Sequence, residues 1–78
     1  MSVVVLLNTI DKVKSFVNAV APLDADLDLA SGRYTVDAKS ILGIFSLDIL
    51  EPLTLNIHGD MDTQCNVLRE IQDYVCAE

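Results

Sequence analysis

Leu23-Asp24-Ala25-Asp26-Leu27-Asp28-Leu29-Ala30-Ser31-Gly32-Arg33-Tyr34-Thr35-Val36-Asp37-Ala38 decides the fold. Leu23, Ala25, Leu27 and Leu29 alternate strictly with Asp24, Asp26 and Asp28. Side chains on a strand point to opposite faces in turn, so this period of two predicts a strand with one face buried and one wet. Ser31-Gly32 is a hairpin turn signal. Tyr34, Val36 and Ala38 then alternate with Arg33, Thr35 and Asp37. That is the returning strand of an antiparallel pair whose aspartates share the solvent face.

Outward toward the N-terminus, Val13, Phe16, Val17 and Val20 recur at the spacing of one helix face. Pro22 ends that helix. Val3 to Leu7 is an unbroken β-branched and apolar run, which reads as a central strand. Outward toward the C-terminus, Lys39-Ser40-Ile41-Leu42-Gly43-Ile44-Phe45-Ser46-Leu47 is apolar without alternation. Ser40 stands where an N-cap belongs, so the stretch predicts a short helix. After Glu51-Pro52, Leu53, Leu55 and Ile57 alternate with Thr54, Asn56 and His58 to give a fourth strand. Gly59-Asp60 turns the chain. Met61, Cys65, Leu68, Ile71 and Val75 then line one face of a final helix, with Glu70 and Asp73 opposite. The predicted order is β-α-β-β-α-β-α in one domain over residues 1–78. An antiparallel sheet covered by helices on a single face satisfies this pattern.

Composition narrows the function classes. Five basic residues stand against twelve acidic ones, for a net charge of −7. This charge repels nucleic-acid backbones and anionic membrane surfaces alike. Met1 to Asn8 has no basic leader, and its apolar run is too short to span a bilayer. A cytoplasmic location is the expectation. Cys65 and Cys76, read as lying on one helix, would be roughly 16 Å apart and beyond disulfide reach. Cys65 reads as a small buried hydrophobe and Cys76 as a near-terminal thiol, with no CxxC or zinc pattern. No catalytic triad, phosphate-binding glycine loop or Cys-His pair is present. The expectation is a chain that is not an enzyme and uses no cofactor.

The element order, and above all Lys39 to Leu47, resemble HPr, the small phosphocarrier family of the bacterial phosphoenolpyruvate sugar phosphotransferase system. The block reads Lys-Ser, two bulky apolar residues, Gly, two apolar residues, then Ser-Leu. The resemblance is sharp in these nine residues and extends to the rest of the chain as element order. It implies the HPr-like open-faced sandwich, an α/β (α+β) fold with a four-stranded antiparallel sheet. It also implies that Ser40 matches the family's regulatory phosphoserine and that Ile41, Leu42 and Phe45 match its partner-docking patch. Reading back from Ser40 without a gap, the family's His-Ala-Arg-Pro loop falls on Thr9-Ile10-Asp11-Lys12. The phosphoacceptor histidine is replaced by Thr9 and the phosphate-binding arginine by Asp11. A threonine phosphate ester is too stable to pass its phosphate on, so the phosphohistidine relay is not expected here.

The candidate residues also carry plainer readings. Thr9 and Ser40 suit helix N-caps. Ile41, Leu42 and Phe45 suit a core, although a helix this short cannot bury all of them with Ile44 and Leu47. Asp24, Asp26 and Asp28, with Asp37 and His58, suit a solvated face, because carboxylates at alternate strand positions diverge and no loop wraps a cation. The expectation is a non-catalytic HPr-like regulatory module that binds a protein partner through its first two helices. An HPr-kinase-like enzyme would act on Ser40, and no metal, nucleic acid or membrane would be bound. A structural module that self-associates as a homodimer is the alternative, and a cation sensor on the aspartate face a third.

Overall fold

In the computed structural model, which describes residues 1–76, four strands and three helices follow the predicted order. They are β1 (Ser2–Val5), α1 (Ile10–Val20), β2 (Asp26–Ser31), β3 (Tyr34–Asp37), α2 (Ile41–Phe45), β4 (Leu53–His58) and α3 (Met61–Ile71), with a 3-10 turn at Gln72–Tyr74. The sheet runs β1-β4-β2-β3, every neighbour antiparallel. The registers Val3↔Leu55, Leu29↔Leu55 and Leu29↔Val36 place one apolar row across all four strands. The helices cover that row with Val13, Phe16, Val17 and Val20 of α1, Ile44 of α2, and Val67 and Ile71 of α3. The row on the other face, Ser2↔Asn56↔Asp28↔Asp37, is polar throughout. This is the HPr-like open-faced sandwich.

The hairpin follows from one glycine. Ser31 pairs with Tyr34 across a two-residue loop, and Gly32 holds a φ of +59° while Arg33 stays at negative φ. Positive φ at the first central position alone is the glycine-demanding II′ pattern, whose twist matches the strands it joins. The strand itself starts at Asp26 rather than Leu23. Leu23 instead closes the end of α1, its N–H donating to the Val20 carbonyl at 3.0 Å.

Three expectations are corrected. The Val3–Leu7 run is an edge strand, not a central one, and it ends at Val5. It reads as uniformly apolar because two elements share it. Leu6 and Leu7 belong to the connection into α1, where Leu7 is fully buried. The outer edge of β1 is closed by the chain's own C-terminal segment, with Leu6 N–H on the Tyr74 carbonyl at 2.9 Å and Cys76 N–H on the Val4 carbonyl at 2.8 Å.

The final helix keeps Ile71 of its expected face buried and Leu68 half-buried against the core, but is turned toward Val67. Val67 and Ile71 are buried, whereas Met61, Cys65 and Val75 are exposed. Val67 and Ile71 form a second apolar row that shares Ile71 with the expected one, and periodicity alone does not choose between them. Packing does: beyond the helix, Tyr74 turns back to meet Phe16 edge-on, ring centroids 5.6 Å apart. Cys65 is therefore a surface thiol, and Cys76 lies beyond the helix, so the single-helix spacing does not apply to the pair. Both are free thiols and border one shallow groove with Leu68 and Val75.

Candidate functional site

Two helix N-termini carry the residues of interest. At the first, Thr9 has extended backbone angles and its Oγ1 accepts from the Lys12 N–H at 3.1 Å. Thr9, Asp11 and Lys12 are all exposed. The preceding residue, Asn8, carries no signal in the sequence. Its Oδ1 is buried and accepts no hydrogen bond from the protein. Nothing in a lone Asn signals this, because its burial comes from the chain's path between β1 and α1.

At the second, Ser40 is extended and half-buried, and its Oγ accepts from the Gly43 N–H at 3.1 Å. A hydroxyl there satisfies one of the donors that a helix start leaves unpaired. The local sequence shapes this cap closely. A Cβ on Gly43 would sit 3.2 Å from both Ser40 Oγ and Val36 Cβ, so the glycine lets α2 approach β3 while leaving room for the capping hydroxyl. Asp37 sets the approach: its Oδ1 accepts from Lys39 N–H at 2.9 Å, and its carbonyl accepts from Ser40 N–H at 3.0 Å. The Lys39 ammonium is turned away from Ser40, onto the Leu23 carbonyl. Ser46 ends the helix, both its N–H and its hydroxyl donating to the Gly43 carbonyl.

Ile44 at 0% exposure and Leu47 at 7% anchor this short element to the core. The rest of its apolar surface faces out: Leu42 is 85% exposed, Ile41 37% and Phe45 38%. Leu50, 73% exposed in the loop that follows, and Ile10 at the start of α1 add to the exposed apolar surface. Neither could be singled out from sequence, since Leu50 lies in a stretch without periodicity and Ile10 at a helix end.

The aspartate face is built differently. Asp28 stands opposite Asp37, and Asp26 opposite His58. His58 Nε2 lies 2.7 Å from Asp28 Oδ2, a diagonal cross-strand contact in the open. Among the described residues no three His, Cys, Asp or Glu side chains gather as a metal site requires. No helix among them is long and apolar enough to cross a membrane.

No protein-family model matches the chain. Solved structures do. HPr-C-His from Thermoanaerobacter tengcongensis superposes with a TM-score of 0.72 at 20% identity, over 94% of this chain and 92% of that one. The phosphocarrier protein HPr from Bacillus anthracis strain Ames superposes with a TM-score of 0.74 at 23% identity, over 95% of each. The chain thus has the fold of the HPr phosphocarriers over about 95% of its length, as its element order implied. At this identity the likeness is one of fold.

Proposed function

We propose that the chain is a non-catalytic HPr-like regulatory module of the sugar phosphotransferase type, acting in a bacterial cytoplasm. It binds a protein partner through α1 and α2 and is switched by phosphorylation at Ser40. The observation that carries this reading is the juxtaposition at α2: a half-buried capping serine directly followed by outward-facing Ile41, Leu42 and Phe45. In the phosphorylation step, the Ser40 Oγ attacks the γ-phosphorus of ATP on an HPr-kinase-like enzyme. Its proton passes to that enzyme's base, and ADP leaves. The ester brings a charge of about −1.5 to −2 to a helix start, where free N–H groups and the helix dipole favour an anion. That charge stands beside the apolar contact surface, so a partner selected for Ile41 and Leu42 meets a charged rim instead.

A phosphohistidine relay does not fit. Thr9, in the position the resemblance gives to the phosphoacceptor histidine, caps α1 with its hydroxyl, and Asp11 adds negative charge in the same first turn. His58 is away on the open sheet face, against Asp28. The alternative is a structural module that keeps the fold and self-associates without phosphorylation. It draws support from the same exposed side chains, since a patch of this kind calls for a cover.

The test is incubation with ATP and an HPr kinase, and separately with phosphoenolpyruvate and the first enzyme of the phosphotransferase system, each read by intact mass. One phosphate from ATP, absent in Ser40→Ala, is expected, with none from phosphoenolpyruvate. Labelling from phosphoenolpyruvate would overturn the reading of Thr9. No labelling from either donor would overturn the switch at Ser40 and leave the self-association module.

A further inference from the structure

The two edges of the sheet are treated differently. The β1 edge is closed by Tyr74, Val75 and Cys76. The β3 edge pairs with nothing among the described residues. An open edge presents a row of main-chain donors and acceptors that templates another strand. We propose that this edge pairs antiparallel with the same edge of a second copy of the chain, about a two-fold axis at Thr35. The proposal is independent of Ser40 and of the α2 surface.

Hairpin geometry sets which groups are free. With a two-residue loop, Ser31 and Tyr34 form a hydrogen-bonded pair, so Tyr34 and Val36 direct their main-chain groups to β2. Ala38 keeps the same sense, its N–H on the Leu27 carbonyl at 3.0 Å. The main-chain groups of Thr35 and Asp37 therefore point away from the sheet. The Asp37 carbonyl is already used by Ser40 N–H, which leaves both Thr35 groups and the Asp37 N–H.

Register follows from those free groups and from charge. Only pairings that match outward residue with outward residue are allowed, which leaves axes at Thr35 or Val36 for a full-length match. An axis at Val36 would send Thr35 N–H to the occupied Asp37 carbonyl, where an axis at Thr35 sends only the Arg33 N–H of the turn there and keeps both Thr35 groups paired. It would also set Arg33 against Lys39, and like charges directly opposite destabilise a strand pair. An axis at Thr35 lets the two Thr35 residues exchange both hydrogen bonds and aims each Asp37 N–H at the Arg33 main chain across the axis. It sets Arg33 against Asp37 twice by symmetry, an isologous contact. It also lays Tyr34, 74% exposed with no core beneath it, over the half-buried Val36 of the other copy. Edges of four residues bury far less than the roughly 1,000 Å² of a stable interface, so the dimer is transient, with a Kd on the order of 1 mM or somewhat below.

The experiment is sedimentation equilibrium with amide chemical shifts and hydrogen exchange, from about 20 μM to about 2 mM, spanning the Kd set by that small interface. Concentration-dependent shifts and slowed exchange at Thr35 and Asp37 are expected. Thr35→Pro removes an outward N–H that β2 does not use, so it should abolish dimerisation and leave the melting temperature nearly unchanged. Arg33→Asp should weaken the dimer roughly tenfold, and the exchanged pair Arg33→Asp with Asp37→Arg should recover most of it. Leu42→Glu should have no effect. A monomer at every concentration would overturn the proposal. So would a dimer that survives Thr35→Pro and Arg33→Asp but is lost in Leu42→Glu, which would place association on α2.

Discussion

Replacing Ser40 with alanine removes one hydrogen bond and tests how α2 is held. That helix has five residues, too few to persist without its ends and its anchors. The bond lost is the 3.1 Å contact from Gly43 N–H to Ser40 Oγ, in a half-buried setting where water replaces it poorly. Losing an N-cap of this kind costs about 1 kcal/mol, within a range of about 0.5–2. For a domain of this size, 1 kcal/mol corresponds to a fall in Tm of roughly 4–8 °C. Read locally, the same free energy speeds exchange of the Gly43 amide about fivefold, since 1.4 kcal/mol is tenfold. Ser40→Asp keeps an acceptor at the cap and adds a charge the helix start favours, so its Tm should stay within about 2 °C of the parent. Thermal melts by circular dichroism and amide exchange by NMR read both effects. Unchanged melting and Gly43 exchange in Ser40→Ala would refute the cap as the element holding the turn. A Ser40→Asp variant less stable than Ser40→Ala would refute the claim that this helix start accommodates a phosphate.

Ile44→Ala should cost about 2–5 kcal/mol in urea denaturation, because the side chain is fully buried and nothing else on α2 replaces it. Leu42→Ala, two residues away but exposed, should stay within about 0.5 kcal/mol. An equal loss in both would mean the outward surface of α2 is not free. Asp60 supplies the pH prediction. Its carboxylate accepts from Thr63 N–H at 2.9 Å as the cap of α3, and that bond holds its pKa below the ordinary value of 3.8. The folded pKa is depressed, so its contribution is fully present above 3.8 and fades as pH falls through the lower, folded value. The stability gap between the parent and Asp60→Ala should therefore narrow on acidification below that point. A constant gap would show that the charge contributes nothing to the cap.

The site was partly legible from residues close in sequence. Ser40 and Thr9 read as caps because a cap is a local bond, reaching only to Gly43 and Lys12. The division into inner Ile44, with Leu47 just beyond α2, and outer Leu42 follows from the length of the helix. Leu50, Ile10 and the buried Oδ1 of Asn8 left no such trace, because Leu50 lies in a stretch without periodicity, Ile10 at a helix end, and a lone Asn between two elements carries no pattern.

Local rules settled the hairpin, the α1 stripe and the element order, since alternation, helical spacing and a glycine at positive φ each involve neighbours along the chain. Tertiary packing alone decided three things. It put β1 at an edge, because strand order depends on which long-range pairings bury the most apolar surface, and β4 takes the place between β1 and β2. It turned Val67 inward beside the expected Ile71 and left Met61 and Cys65 outside, because packing against the helix layer selects between overlapping apolar rows. It closed the β1 edge with the C-terminal segment and left β3 open, an asymmetry set by where the chain's last turn lands rather than by any pattern in β1 or β3 themselves.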